Sequence, residues 1–286
     1  MKAKLGLGGR QGRQCTVTPV ADVANNLSVW ETSWDWGDSG DEWSAWWGGT
    51  PAMWFGALLP RIHAFLPAGT ILEIAPGYGR WTQYLKEACD QLVVVDLAER
   101  CIERCRERFA ADSNIAYHVN DGRSLEMVPD ASIDFAFSFD SLVHAERDVL
   151  DAYLEQLALK LKPDGVGFFH HSSVGDYAGL TAVSRRVPEW ARRRLVNRGA
   201  LIDVYAWRAE SMTAQAFADG CSAAGLTCVT QERINWEHGP YLMDTLSVFT
   251  PRGSRWHRPP VTVRNPLFRA EAKRMARAYS ARSFET

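Results

Sequence analysis

The stretch Ile71-Leu-Glu-Ile-Ala-Pro-Gly-Tyr-Gly-Arg80, followed by Val93-Val-Val-Asp96, constrains this chain more than any other. An apolar run ending in a Gly-x-Gly turn reads as a buried strand that stops abruptly and feeds a helix. Glycine lets backbone pass close to a ligand where a Cβ would collide. The run Gln91–Val95 reads as a second buried parallel strand, with Asp96 at its carboxyl end. In an open α/β sheet, an acid at that point can hold a ribose diol with both carboxylate oxygens. One ligand class satisfies both halves: a nucleoside held across the tips of two adjacent strands.

The turn narrows the class further. A dinucleotide fingerprint carries a third glycine for helix–strand packing and seats a pyrophosphate on the helix N-terminus. Pro76-Gly77-Tyr78-Gly79-Arg80-Trp81-Thr82 lacks that glycine and sets a bulky Trp81 nearby, while Glu73 opposes a polyanion and suits a cation. Glu-x-x-x-Gly-x-Gly followed by a strand-end acid resembles the first two motifs of the class I S-adenosylmethionine-dependent methyltransferases. Asn120-Asp121-Gly122, after the short strand Ile115–Val119, resembles a third. Ser132–Phe139 leading to Asp140-Ser-Leu-Val-His144, and Leu159–Gly165 leading to Val166–Ser172, resemble the fourth and fifth strands of that family. The resemblance runs from about Leu72 to Phe249. It implies an α/β fold with a doubly wound, mostly parallel seven-stranded sheet (Rossmann-like) and S-adenosyl-L-methionine as cofactor. It further implies Glu73, Ala75, Gly77 and Gly79 at the methionine end, Asp96 on the ribose, and Asp121 with Gly122 at the adenine.

At 286 residues the chain can bury a full core without disulfide support. The expected organisation is one methyltransferase domain over 1–286. It comprises an N-terminal arm and Trp-rich extension (1–65), a catalytic core (66–250) and a tail (251–286). A formal charge of −2 argues against a nucleic-acid partner. The six cysteines show no paired zinc spacing and read as reduced thiols. No apolar run reaches the roughly 18 residues of a membrane span, and no apolar signal core opens the chain. The expectation is a soluble cytoplasmic protein with a small-molecule or oligosaccharide acceptor, a homo-oligomer remaining open.

Met1 to about Asn26 reads as a loose arm. Trp30, Trp34, Trp36, Trp43, Trp46, Trp47 and Trp54 then crowd among Glu31, Asp35, Asp38, Asp41 and Glu42. Pro51–Phe65 reads as a helix before the first sheet strand, and strands alternate with helices to His171. Gly175–Trp207 interrupts that rhythm with Arg185, Arg186, Arg192, Arg193, Arg194 and Arg198, which read as a solvated face, or as a lid or anion site. Ser211–Ala224 reads as a helix capped by Ser211 and stopped by Gly225. Thr227–Ile234 and Tyr241–Phe249 read as an antiparallel pair joined by Asn235–Pro240. The basic, Pro-bearing tail from Thr250 ends in a short helical segment, Pro266–Tyr279.

Methyl transfer from a sulfonium needs an aligned nucleophile and a proton acceptor. Asp140 and His144 follow the fourth strand, and His170 and His171 end the fifth, on tips roughly 5 Å apart. His144 reads as a general base or a loop histidine, and Asp140 as an orienting acid or a turn cap. His170 and His171 point to opposite faces if both stay on the strand, so at least one is structural. Glu237-His238 reads as a polar turn or as the pocket rim. The tryptophans read as core or, with their acids, as a carbohydrate lining.

Trp46-Trp-Gly-Gly-Thr-Pro51, the glycine turn, Asp140–His144 and His170-His-Ser172 together resemble sugar O-methyltransferases of bacterial polysaccharide pathways. Within them, the likeness is to those that 1-O-methylate the reducing end of 3-O-methylmannose oligosaccharides. That resemblance implies His144 as base and a divalent metal, magnesium, for which the carboxylate and imidazoles at hand are Asp140 with His170, His171 and His238. Sugar contacts are expected from Trp46, Trp47 and Glu237. The chain departs from metal-dependent relatives in placing histidines where many carry carboxylates. A phenol or carboxylate O-methyltransferase, and a binding protein that keeps the cofactor fold without turnover, are the alternatives.

Overall fold

The computed structural model describes residues 21–37, 39–204, 207–236 and 239–278. Its centre is one eight-stranded sheet: β1 (Ala68–Ile74), β2 (Cys89–Asp96), β3 (Ile115–Val119), β4 (Ile133–Ser138), β5 (Leu161–Ser172), β6 (Leu226–Ile234), β7 (Asp244–Pro251) and β8 (Val261–Asn265). The order is β3-β2-β1-β4-β5-β7-β6-β8, with β7 antiparallel to β5 and β6 and the other pairs parallel. The doubly wound α/β class stands, with one strand more than the seven expected. The extra strand, β8, pairs with the free edge of β6, and its side chains are mostly exposed. Its short Val-Thr-Val run, set just after Pro259-Pro260, carries no buried-strand signature.

Strand alternation divides the core into two layers. Leu72, Ile74, Val95, Ala136 and Phe169 face the helices Arg147–Lys160 and Ala214–Ala223. Ile71, Val94, Phe135, Phe137 and Phe168 face Trp54, Leu58 and Ile62 of the helical run 50–65 and Trp81 beyond β1. That run is continuous, as the sequence predicts, but widens to a π-helical segment at Trp54–Leu58. The helix after the insertion starts later than expected, at Ala214. Thr213, not Ser211, accepts from the Ala216 N–H at 2.8 Å. Ser211 instead accepts the Arg147 N–H at 2.9 Å.

The Trp-rich extension begins with the helix Val23–Ser28, capped by Asp22, then a π-helical turn Val29–Ser33 and a 3₁₀ segment Asp41–Trp47. It lies over the carboxyl ends of β1 and β2, where Trp36, Tyr78, Ala98 and Cys101 form a small core of their own. The insertion folds as helices Ala178–Arg186 and Glu189–Asn197. Arg185, Arg186, Arg193, Arg194 and Arg198 are exposed there and Arg192 is buried. No helix among the described residues is long and apolar enough to cross a membrane.

Candidate active site

β1 ends in a backbone built from left-handed residues: Ala75 at φ 56°, Gly77 at 58° and Gly79 at 82°. The two glycines do different work. A Cβ on Gly77 would lie 2.7 Å from the Trp36 ring, which stacks on Tyr78 at 4.4 Å over the turn. A Cβ on Gly79 would strike Phe109 at 2.5 Å, so this glycine seats the turn against the end of the helix Glu99–Arg108 beyond β2 and does not line the cavity. Glu73 is also out of reach, 1% exposed beneath the turn, where it accepts the Thr82 hydroxyl at 2.6 Å. Burial pushes its carboxyl up to about 8 against that hydrogen bond.

A cavity opens between the sheet tips and the aromatic extension. Ala75, Gly77 and Asp96 line one wall, Gly122 and Tyr153 one end, and Asp140, Ser141 and His144 the other wall, under Asn26, Trp30, Trp36 and Trp43. Asp96 sits at the tip of β2, accepting from the N–H groups of Ala98 at 2.9 Å and Gly77 at 3.3 Å. Burial raises it to about 7 in spite of these donors. A carboxylate so desolvated gains from any further donor, which a diol supplies. Asp121 is placed otherwise. It is exposed, and its Oδ1 accepts the N–H groups of Arg123 at 2.9 Å and Ser124 at 2.7 Å, which hold its carboxyl below the usual range. The cavity lining includes its neighbour Gly122 but not Asp121.

At the fourth strand tip, Asp140 takes a left-handed φ of 64° and pairs with Arg80 at 2.7 Å. The guanidinium lies between Trp43 and Trp81, 5.3 and 4.6 Å from the two rings. The Asp140 N–H donates to His170 Nδ1 at 3.1 Å, leaving the His170 proton on Nε2, 3.3 Å from Asp244. Asp244 also binds Arg208 through both oxygens, at 2.9 and 3.0 Å. Burial pushes Asp244 up, but Arg208 and His170 together hold it well below the usual carboxylate range. His170 is thus a brace that fixes the Asp140 backbone.

His144 lines the cavity beside Asp140, with its ring 4.6 Å from Trp207 and 5.7 Å from Trp30. Its Nδ1–H donates to the Trp207 carbonyl, which leaves the Nε2 lone pair free. Burial, and then the Arg208 charge, lower it to about 4, so the ring is neutral near pH 7.

The residues expected to hold magnesium do not converge. Asp140 is paired with Arg80 and His170 Nδ1 is occupied. His171 points to the opposite face of the sheet, stacked on Phe217 at 4.2 Å and bonded to Ser247 at 2.8 Å. Among the described residues no group of three His, Cys, Asp or Glu could hold a metal ion. His238 and Glu237 lie outside the described residues. Trp46 and Trp47 also sit away from the cavity: Trp46 lies under the Arg269 guanidinium at 3.9 Å, and Trp47 packs against Trp236 and Phe268. The indoles that do roof the cavity are Trp30, Trp36 and Trp43 of the same block. Sequence reasoning missed Asn26, Arg80, Tyr153 and Trp207. Of these only Arg80, adjoining the glycine turn, carried a local signal.

Residues 71–165, about a third of the chain, match the family described as a methyltransferase domain. Over 74 residues the chain is 38% identical to the ribosomal RNA small subunit methyltransferase A of Geobacter sulfurreducens, covering 25% of this chain and 27% of that protein. Over 121 residues it is 32% identical to phosphoethanolamine N-methyltransferase 3 of Arabidopsis thaliana, covering 40% of this chain and 24% of that one. The chain spans about a quarter of the length of the curated relatives it matches. In fold it is similar to the PH0226 protein of Pyrococcus horikoshii, with a TM-score of 0.50 and 20% identity over 70% of this chain and 88% of that one. Residues 71–165 are thus similar to a methyltransferase domain, and the sheet that contains them has the Rossmann-like α/β fold shared with that solved structure.

Proposed function

We propose that this chain transfers the methyl group of S-adenosylmethionine to a sugar hydroxyl, in its finest form the reducing-end 1-hydroxyl of a 3-O-methylmannose oligosaccharide. The observation that carries the reading is His144, with Nδ1 tied to the Trp207 carbonyl and Nε2 unprotonated, beside Asp140 on the cavity wall.

When bound, S-adenosylmethionine supplies an electrophilic methyl on a sulfonium. Gly77 leaves room for its methionine end and the Asp96 carboxylate accepts its ribose hydroxyls. Closed under the indoles, the cavity holds about 70 Å³, well below the several hundred Å³ of ligand sites. Admission of the cofactor therefore displaces part of the roof, with Trp36 over Gly77 the ring in the way. With the cofactor bound, His144 Nε2 would take the proton of the acceptor hydroxyl as the methyl passed from sulfur to that oxygen. Asp140, locked by Arg80 and by the brace from His170, keeps the wall in place.

The electrostatics favour a neutral acceptor over a cationic amine of the phosphoethanolamine type. Arg80 neutralises Asp140, and Arg208 lowers His144. Indole faces under Asp140 and His144 suit the apolar C–H face of a sugar. A magnesium ion forms no part of the reading, because Asp140 is paired with Arg80, His170 Nδ1 is occupied and His171 lies on the other face of the sheet.

The test is transfer of label from S-adenosylmethionine to mannosides, other oligosaccharides, phenols and amines, with and without a chelator. Label on a mannoside that survives chelation is the expected result. Label confined to phenols or amines would replace the acceptor class, and loss on chelation would restore a metal.

A further inference from the structure

Asn26 belongs to the aromatic extension, outside the 71–165 match. It is 8% exposed and lines the cavity. Its amide nitrogen donates to the His144 carbonyl at 2.7 Å, while Oδ1 is buried with no partner. Among the described lining residues, no other side-chain oxygen is both buried and unpaired. A buried acceptor left unmatched is costly, and a ligand donor would remove that cost.

The end of the cavity it serves follows from the helix Val23–Ser28. Val23, three residues earlier and so on the same face, has its Cγ1 3.1 Å from where a Gly122 Cβ would lie. Gly122 follows β3, whose register sets Val119 beside Asp96. With ribose at Asp96, the base falls at this end of the cavity, lined by Gly122, Val23 and Asn26. Asp121, the acid expected there, is exposed and bonded to its own turn.

We propose that Asn26 Oδ1, and not Asp121, accepts the exocyclic amino group of the adenine, so that the N-terminal extension selects the base. The inference rests on the cofactor reading above. The amide cannot invert to suit a different base, since inversion would set Oδ1 against the His144 carbonyl oxygen. An amino group at the purine 6-position is matched, and a 6-oxo group meets an acceptor it cannot satisfy.

The experiment is calorimetric binding of S-adenosylhomocysteine and of its 6-oxo analogue, S-inosylhomocysteine, to the full chain and to variants. The unaltered chain should prefer the adenine compound by about 10-fold, the scale of one mismatched buried hydrogen bond. Asn26→Leu should lower its affinity about 10-fold and leave the inosine compound nearly unchanged, so the ratio collapses towards one. A variant whose site is merely loosened would weaken both ligands together and keep the ratio, which overturns the proposal. Asn26→Ser, shorter in reach, should give the same collapse should the leucine variant not fold. Loss of the ratio in Asp121→Ala instead would return the contact to Asp121. Failure of the unaltered chain to bind either compound would bring down the cofactor reading itself.

Discussion

At the Gly77 end of the cavity the wall is backbone, and its shape depends on left-handed torsions and on an absent Cβ. At the His144 end the wall is side chain: an imidazole beside Trp30 and Trp207, and an Asp140–Arg80 pair under Trp43. The first end, like Arg80, Asp140 and His144 at the second, lies within the segment matched to a methyltransferase domain, whereas Trp30 and Trp207 come from an extension and an insertion outside it. The two curated relatives described above, each matched over part of this chain, are named for an RNA and for phosphoethanolamine. A backbone-built end is reusable because it reads what the cofactor always carries. A side-chain-built end can change its indoles and bases without disturbing that frame.

The comparison breaks most visibly at His144. His144→Ala should lower kcat by about 10²–10⁴-fold, the usual scale of general-base catalysis, with the dissociation constant of S-adenosylhomocysteine unchanged. A matching loss of binding would show that the two ends are not separable. Single-turnover transfer beside calorimetry makes the distinction.

Asp96 gives the next effect and a sign at the other end. Its folded-state pKa of about 7 lies above the ordinary carboxyl value. The unfolded chain therefore releases this proton first, and stability without ligand falls as pH rises from about 4 through 7. Ligand binding runs the opposite way, because the ribose needs the ionised acceptor. Affinity for S-adenosylhomocysteine should rise by up to about 10-fold per pH unit below the pKa and level off above it. Asp96→Asn should bind weakly at every pH and melt higher than the unaltered chain at pH 8. His144, held near 4, is already neutral through the upper part of that window, where Asp96 titrates. An acid limb near pH 7 that survives in Asp96→Asn would therefore assign the titration elsewhere.

What the sequence made legible follows the same division. Gly77 and Asp96 stood out because residue type alone encodes a left-handed turn and a strand-tip acid. Strand alternation likewise sent His170 and His171 to opposite faces. The aromatic extension was visible as a block but not by residue. A π-helical turn at Val29–Ser33 and a 3₁₀ segment at Asp41–Trp47 break the 3.6-residue phase, so spacing cannot say which indoles face the cavity. Trp46 and Trp47 were expected there, while Trp30, Trp36 and Trp43 occupy it. Asp121 lies next to the right place, but an Asx turn uses its carboxylate. Asn26 depends on a tertiary bond to His144, 118 positions away, and leaves no local trace.

The smallest expected effect tests the backbone end at Ala75. This residue holds φ 56° with its N–H on the Val95 carbonyl at 2.8 Å and its own carbonyl receiving the Ser141 hydroxyl at 2.7 Å. An alanine in the left-handed region costs roughly 1–2 kcal/mol, and replacement by glycine removes that strain while loosening the unfolded chain by about 0.4–1 kcal/mol. The balance predicts that Ala75→Gly raises the melting temperature by about 1–3 °C and leaves acceptor KM unchanged, since both hydrogen bonds are backbone-borne on this residue. The Ala75 Cβ also packs against the Leu72 and Ile74 side of the core. A lower melting temperature would mean that this methyl contact outweighs the torsional strain. The turn would then be held by side-chain packing as the opposite end is, and the contrast between the two ends would narrow to the glycines alone.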